Sequence, residues 1–79
     1  MNQPRSLLEE VRLTRRMPSP EAARKIRLAA GLTQWRMAAE LGVHRVTFAR
    51  WELGSSRPTT PQRLKYAELL AALQQELES

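Results

Sequence analysis

Residues 32–54, LTQWRMAAELGVHRVTFARWELG, read as two short helices joined by a tight turn. Thr33 supplies a hydroxyl where a helix N-cap is needed, and Met37, Ala38 and Leu41 follow as an apolar face. Gly42 tolerates the left-handed backbone that stops a helix. Gly42, Val43 and His44 alone separate this helix from the next, which runs from Arg45 to Leu53 and stops at Gly54. Two such helices around a glycine-containing turn are the signature of a helix-turn-helix. Ala38 is small enough for a close helix crossing, Val43 is apolar enough to pin the turn, and Phe48 and Trp51 are placed to anchor the second helix. The face then left to solvent carries Arg45, Val46, Ala49 and Arg50. Arginine suits bidentate contact with guanine O6 and N7 in the major groove.

Working outward, every other segment also reads as helix. Ser6-Leu7-Leu8-Glu9 has the form of a capping box, with Leu7, Leu8 and Val11 at helical spacing behind it. Met17-Pro18 ends that helix, and Ser19-Pro20-Glu21 starts another with Ala23, Ile26 and Ala30 on one face and Gly31 as its stop. A loop over residues 55–59 leads to Thr60-Pro61-Gln62, a second cap-and-proline start with Thr60 in the capping place. The expected fold is all-α, with five helices at about residues 6–16, 20–30, 34–41, 45–53 and 61–77.

Composition narrows the function. Seventy-nine residues suffice for one small domain. The chain has no cysteine and no Asp, and its single histidine is His44. Disulfides, zinc clusters and a nucleophile–base pair are therefore excluded, and neither enzymatic activity nor a metal or other cofactor is expected. No apolar run approaches the ~20 residues that cross a bilayer. The stretch beginning at Met1 lacks a signal-peptide core, so a soluble cytoplasmic protein is expected. Residues 1–65 hold all thirteen cations against five Glu, a net +8, whereas residues 66–79 carry three Glu and a net −3. On charge alone, a polyanionic partner and a solvated arginine-rich surface are equally good readings. Four aromatic side chains are too few for a single-strand binder built on stacking platforms, which leaves duplex DNA as the better polyanion.

Residues 26–58, IRLAAGLTQWRMAAELGVHRVTFARWELGSSRP, resemble the Cro/C1-type, or XRE, helix-turn-helix family. The shared elements are the G-L-T-Q start, the A-x-x-L-G-V turn, the W-E-x-G helix end and the R-P loop, in order and at matching spacing. The resemblance extends through about Leu73, which implies a lambda-repressor-like DNA-binding domain at residues 19–73. Residues 1–18 would then be an extra helix and linker, and residues 74–79 an acidic helix end. It further implies a sequence-specific transcription regulator, a repressor by preference, acting as a homodimer on a palindromic operator. Arg45, Val46 and Arg50 match base-contacting positions. Gln34, Thr47, Ser55 and Arg57, with the amides near Gly54 and Ser55, match phosphate contacts, and Arg27 and Glu52 match a structural Arg–Glu pair. Three departures stand out. His44 replaces the usual Ser or Thr cap, Trp35 sits at a normally charged position, and no Gly-Val stop follows Leu70.

Several residues keep two readings. Val46 is either half-buried or a contact for a thymine methyl, and Thr47 contacts phosphate, reads a base or bonds to backbone. His44 is a cap or phosphate neighbour before it is a pH switch. Trp35 is either exposed by accident or covers another element, for which the extra N-terminal helix is the candidate. Arg12, Arg15 and Arg16 form either a backbone-contacting arm or a solvated face. Tyr66, Leu70, Leu73 and Leu77 step by four, three and four. Leu70, Leu73 and Leu77 are accordingly dimer-contact candidates, against a fraying tail for the last two. The alternatives to a regulator are an antitoxin or other module that binds a protein partner, and an architectural DNA factor. Neither a membrane nor a small-molecule ligand is expected as a partner.

Overall fold

A computed structural model describes residues 6–79 of the chain. The stretch at Met1 to Arg5, read above for a signal-peptide core, lies outside the described residues. Five helices follow in order: α1 Leu7–Arg15, α2 Pro20–Ala29, α3 Gln34–Leu41, α4 Arg45–Leu53 and α5 Thr60–Leu77. Each end lies within one residue of the expected boundary. No strand occurs among the described residues, so the all-α class holds. Nor is any described helix long and apolar enough to cross a membrane.

The caps explain the boundaries. Ser19 Oγ accepts from the Ala22 amide at 3.1 Å and Pro20 opens α2; Thr33 Oγ1 accepts from the Arg36 amide at 3.1 Å at the head of α3. At α1 only half of the expected box forms, with Ser6 Oγ accepting from the Glu9 amide at 3.1 Å. The complete box belongs to α5 and shifts its start. Thr59, not Thr60, is the N-cap, because only Thr59 stands three residues before Gln62. The Gln62 side chain accepts from the Thr59 amide at 2.9 Å while the Thr59 hydroxyl accepts from the Gln62 amide at 3.4 Å. His44 occupies the N-cap of α4 but its side chain makes no capping bond.

The turn between α3 and α4 depends on Gly42, whose φ of +69° is disfavoured for any residue with a Cβ. That geometry lets the Val43 amide donate back to the Ala38 carbonyl at 3.0 Å, satisfying an end-of-helix acceptor. Val43 then lies half-buried against the core.

The core joins Ala23 of α2, Met37, Ala38 and Leu41 of α3, Phe48 and Trp51 of α4, and Tyr66 and Leu70 of α5. Phe48 meets Tyr66 edge-on at 5.4 Å between ring centroids and Trp51 at 6.2 Å. Phe48 is fully buried, so truncating it to Ala would cost roughly 3–5 kcal/mol. Leu70 is also fully buried, at 0 % exposure, which corrects its expected role in a dimer. The four–three–four stripe begins as core because α5 packs on α2 and α3 through that face. Leu73 is half-buried against the same core, and only Leu77 of the three is exposed.

Helix α1 packs on α5, and Arg63 Nη2 donates to the Thr14 carbonyl at 3.3 Å. It does not cover Trp35, whose side chain is 70 % exposed. Of the two readings of Trp35, the covering one is thus corrected and the exposed one stands. The N-terminal helix finds its partner at the other end of the domain's sequence.

Candidate nucleic-acid interface

Helix α4 has two unlike faces. Phe48, Trp51 and Glu52 are buried, whereas Val46 and Arg50 are exposed and Ala49 is half-exposed. Val46, at 49 % exposure, and Arg50 stand one turn apart on the outer face. Leu53, at 80 % exposure, continues that row by i+3 from Arg50. The sequence reading missed Leu53, although its spacing from Val46, Ala49 and Arg50 was visible. An apolar and cationic row on a helix anchored from behind is suited to the major groove, where apolar groups meet thymine methyls and arginine meets guanine.

A chain of polar contacts fixes this helix against α2 and α3, through Glu52 in its last turn and Arg45 at its first position. Arg27 Nε lies 2.7 Å and Nη2 3.0 Å from the two carboxylate oxygens of Glu52, and the pair is buried. Arg27 Nη1 also donates to the Leu32 carbonyl at 2.8 Å. The hydrogen bond to Glu52 pushes the Arg27 pKa above its ordinary value and keeps the guanidinium charged. Gln34 Nε2 donates to Glu52 at 3.0 Å, and Arg45 Nη1 donates to Gln34 Oε1 at 3.2 Å. Four residues from three helices therefore form one continuous network.

The expected phosphate-contacting residues surround α4, with their donors unequally free. The Gln34 side chain commits one N–H to Glu52, while its backbone amide, at the first position of α3, has no acceptor among the described residues. Such helix-opening amides favour anions. Arg57 is exposed and Thr47 half-buried. Ser55 already has partners within the chain. Its amide and hydroxyl both donate to the Arg50 carbonyl, at 3.0 and 3.3 Å, and the Gly54 amide donates to Trp51 at 3.1 Å. These donors close the end of α4, because Gly54 turns the chain back over its last carbonyls.

The structure also brings together what the sequence did not associate. Arg45 Cζ lies 5.4 Å from the ring centroid of Trp35, so the first residue of α4 rests on the second residue of α3. Nothing in their spacing of ten positions announces the contact.

No curated protein and no solved structure matches the chain. Residues 9–79 match a family described as a helix-turn-helix domain. The match takes in all of α2 through α5 and most of α1, and it agrees with the paired helices α3 and α4 around Gly42. The chain belongs to this helix-turn-helix domain family of DNA-binding proteins.

Proposed function

We propose that the protein is a sequence-specific regulator of transcription of the Cro/C1 type, a repressor that binds a palindromic operator as a homodimer. The observation that carries this reading is the two-faced α4. Its buried side locks to the core through Phe48, Trp51 and Glu52, leaving Val46, Arg50 and the end of Arg45 to meet base edges. Contacts from Gln34, Thr47 and Arg57 to phosphates would set the register without carrying sequence information.

The dimer reading keeps Leu77 of the expected contacts and adds the apolar residues of α1. Leu7, Leu8 and Val11 of α1 and Leu77 of α5 are all exposed apolar residues. The Arg63–Thr14 bond ties the C-terminal end of α1 to the first turn of α5, on which α1 packs. A second copy is the occupant favoured by charge. Arg12 and Arg15 stand in the last turn of α1, and Glu76 and Glu78 flank Leu77, so a two-fold pairing offers each basic turn an acidic partner. The molecular extents, 32 × 30 × 24 Å, also suit adjacent copies whose recognition helices lie one duplex turn apart, roughly 34–36 Å.

Selection of bound sites from a random duplex library at two salt concentrations tests the function. An enriched palindrome with half-sites one turn apart is expected. Binding with no enriched motif, lost steeply as salt rises, would leave only the phosphate attraction and remove the base-reading assignments.

A further inference from the structure

Trp35 is a large aromatic side chain left on the surface at the second position of α3, outside the core cluster. Its ring lies beneath the guanidinium of Arg45 at 5.4 Å. A cation over an indole face is held by the ring quadrupole, and Trp is the strongest such partner among the aromatic residues. The same guanidinium is gripped from a second direction by Gln34 Oε1.

The orientation of that amide is itself dictated from behind. A carboxylate only accepts hydrogen bonds, so Glu52 must face the nitrogen of Gln34. The amide oxygen is then left toward Arg45. Glu52 in turn is fixed by Arg27. Arg45 is therefore confined between a rigid amide and an aromatic shelf before any DNA arrives. A long arginine side chain loses much rotamer freedom when it is immobilised at an interface. One that is already confined loses less.

We propose that Trp35 is a positioning residue for DNA recognition, its ring pre-ordering Arg45 at the head of the recognition helix. This role rests on the DNA-binding function proposed above. It explains why a bulky aromatic is kept on an exposed face: the ring acts on another side chain, and its stability contribution to the core is small.

The test is a set of titrations of the selected operator with the wild type, Trp35→Ala, Trp35→Phe, Arg45→Ala and the Trp35→Ala/Arg45→Ala double variant, with thermal stability measured on each. Trp35→Ala should weaken binding about two- to five-fold, the range set by an exposed cation–π contact. Trp35→Phe should fall between it and the wild type, and melting temperatures should stay close together. In the Arg45→Ala background the Trp35 substitution should have no further effect, because the residue acts through that guanidinium. An equal loss in both backgrounds, or no loss in either, overturns the positioning role while leaving the DNA-binding function intact. Failure of the wild type to bind any duplex overturns that function, and the positioning role with it.

Discussion

Arg27 and Glu52 meet through two hydrogen bonds across twenty-five residues of sequence, and both side chains are almost fully withdrawn from solvent. The pair ties α2 to the recognition helix, and the second Glu52 contact extends the tie to α3 through Gln34. Removing one partner strands a buried charge. Arg27→Met should therefore destabilise the domain by about 3–5 kcal/mol, a large part of what so small a fold possesses. Urea denaturation followed by circular dichroism measures it. A loss below about 1 kcal/mol would show the pair to be solvated.

Arg50 stands exposed on the outer row of α4 with its backbone carbonyl already occupied by the Ser55 amide. Arg50→Ala should weaken operator binding by about 1–3 kcal/mol and relax preference at one base position, leaving stability nearly unchanged. An unaltered base preference in repeated site selection would remove Arg50 from the reading face.

Tyr66 is buried in the aromatic cluster, and its hydroxyl has no hydrogen-bond partner among the described residues. Tyr66→Phe should be neutral or stabilising by up to about 1 kcal/mol, since it removes a desolvated polar atom and keeps the ring. Burial also pushes the Tyr66 pKa well above its ordinary value, with the nearby Glu52 charge adding to the rise. An acid whose pKa is raised by folding contributes stability below the unfolded value of about 10 and loses it at higher pH. Melting temperature measured from pH 8 upward should thus fall above about pH 10 in the wild type, and less in Tyr66→Phe. Parallel curves for the two proteins would contradict this.

Gly42 has open space where a Cβ would stand, so its substitution meets conformational strain alone. Gly42→Ala should cost about 1–2 kcal/mol, and Gly42→Asn less, because Asn tolerates the left-handed region better. Chemical denaturation of both variants decides it; equal costs would point to a packing effect instead.

The apolar face of α1 predicts self-association. Leu8→Lys places a charge between Leu7 and Val11 on the exposed apolar face of α1 and should weaken the proposed homodimer at least about tenfold, the effect of some 1.4 kcal/mol. Sedimentation equilibrium of both proteins reads it. A wild-type monomer at high concentration, or a variant that dimerises equally well, would remove this surface from the assembly.

Much of the fold was legible because its signals are local. Ser19-Pro20, Thr33 and the glycines at 42 and 54 act within a few residues of themselves, so chain order alone reveals them. The start of α5 was misread by one residue because Thr59 and Thr60 are both competent caps, and only the reciprocal bond with Gln62 chooses between them. Leu70 was misassigned for a different reason. A stripe at four–three–four spacing says that one side of a helix is apolar, but not whether that side meets the domain's own core or a second copy.

The division follows from the range of the forces. By itself the sequence determined five helices, the turn at Gly42, the outward Arg50 and a basic body, since propensity, capping, periodicity and net charge need no knowledge of distant neighbours. Only the tertiary structure decided that Leu70 is core, that α1 rests on α5, that Val46 is exposed and that Arg45 lies over the Trp35 ring. Those contacts join separate helices, and packing in three dimensions selects which of several available apolar or charged faces each helix presents.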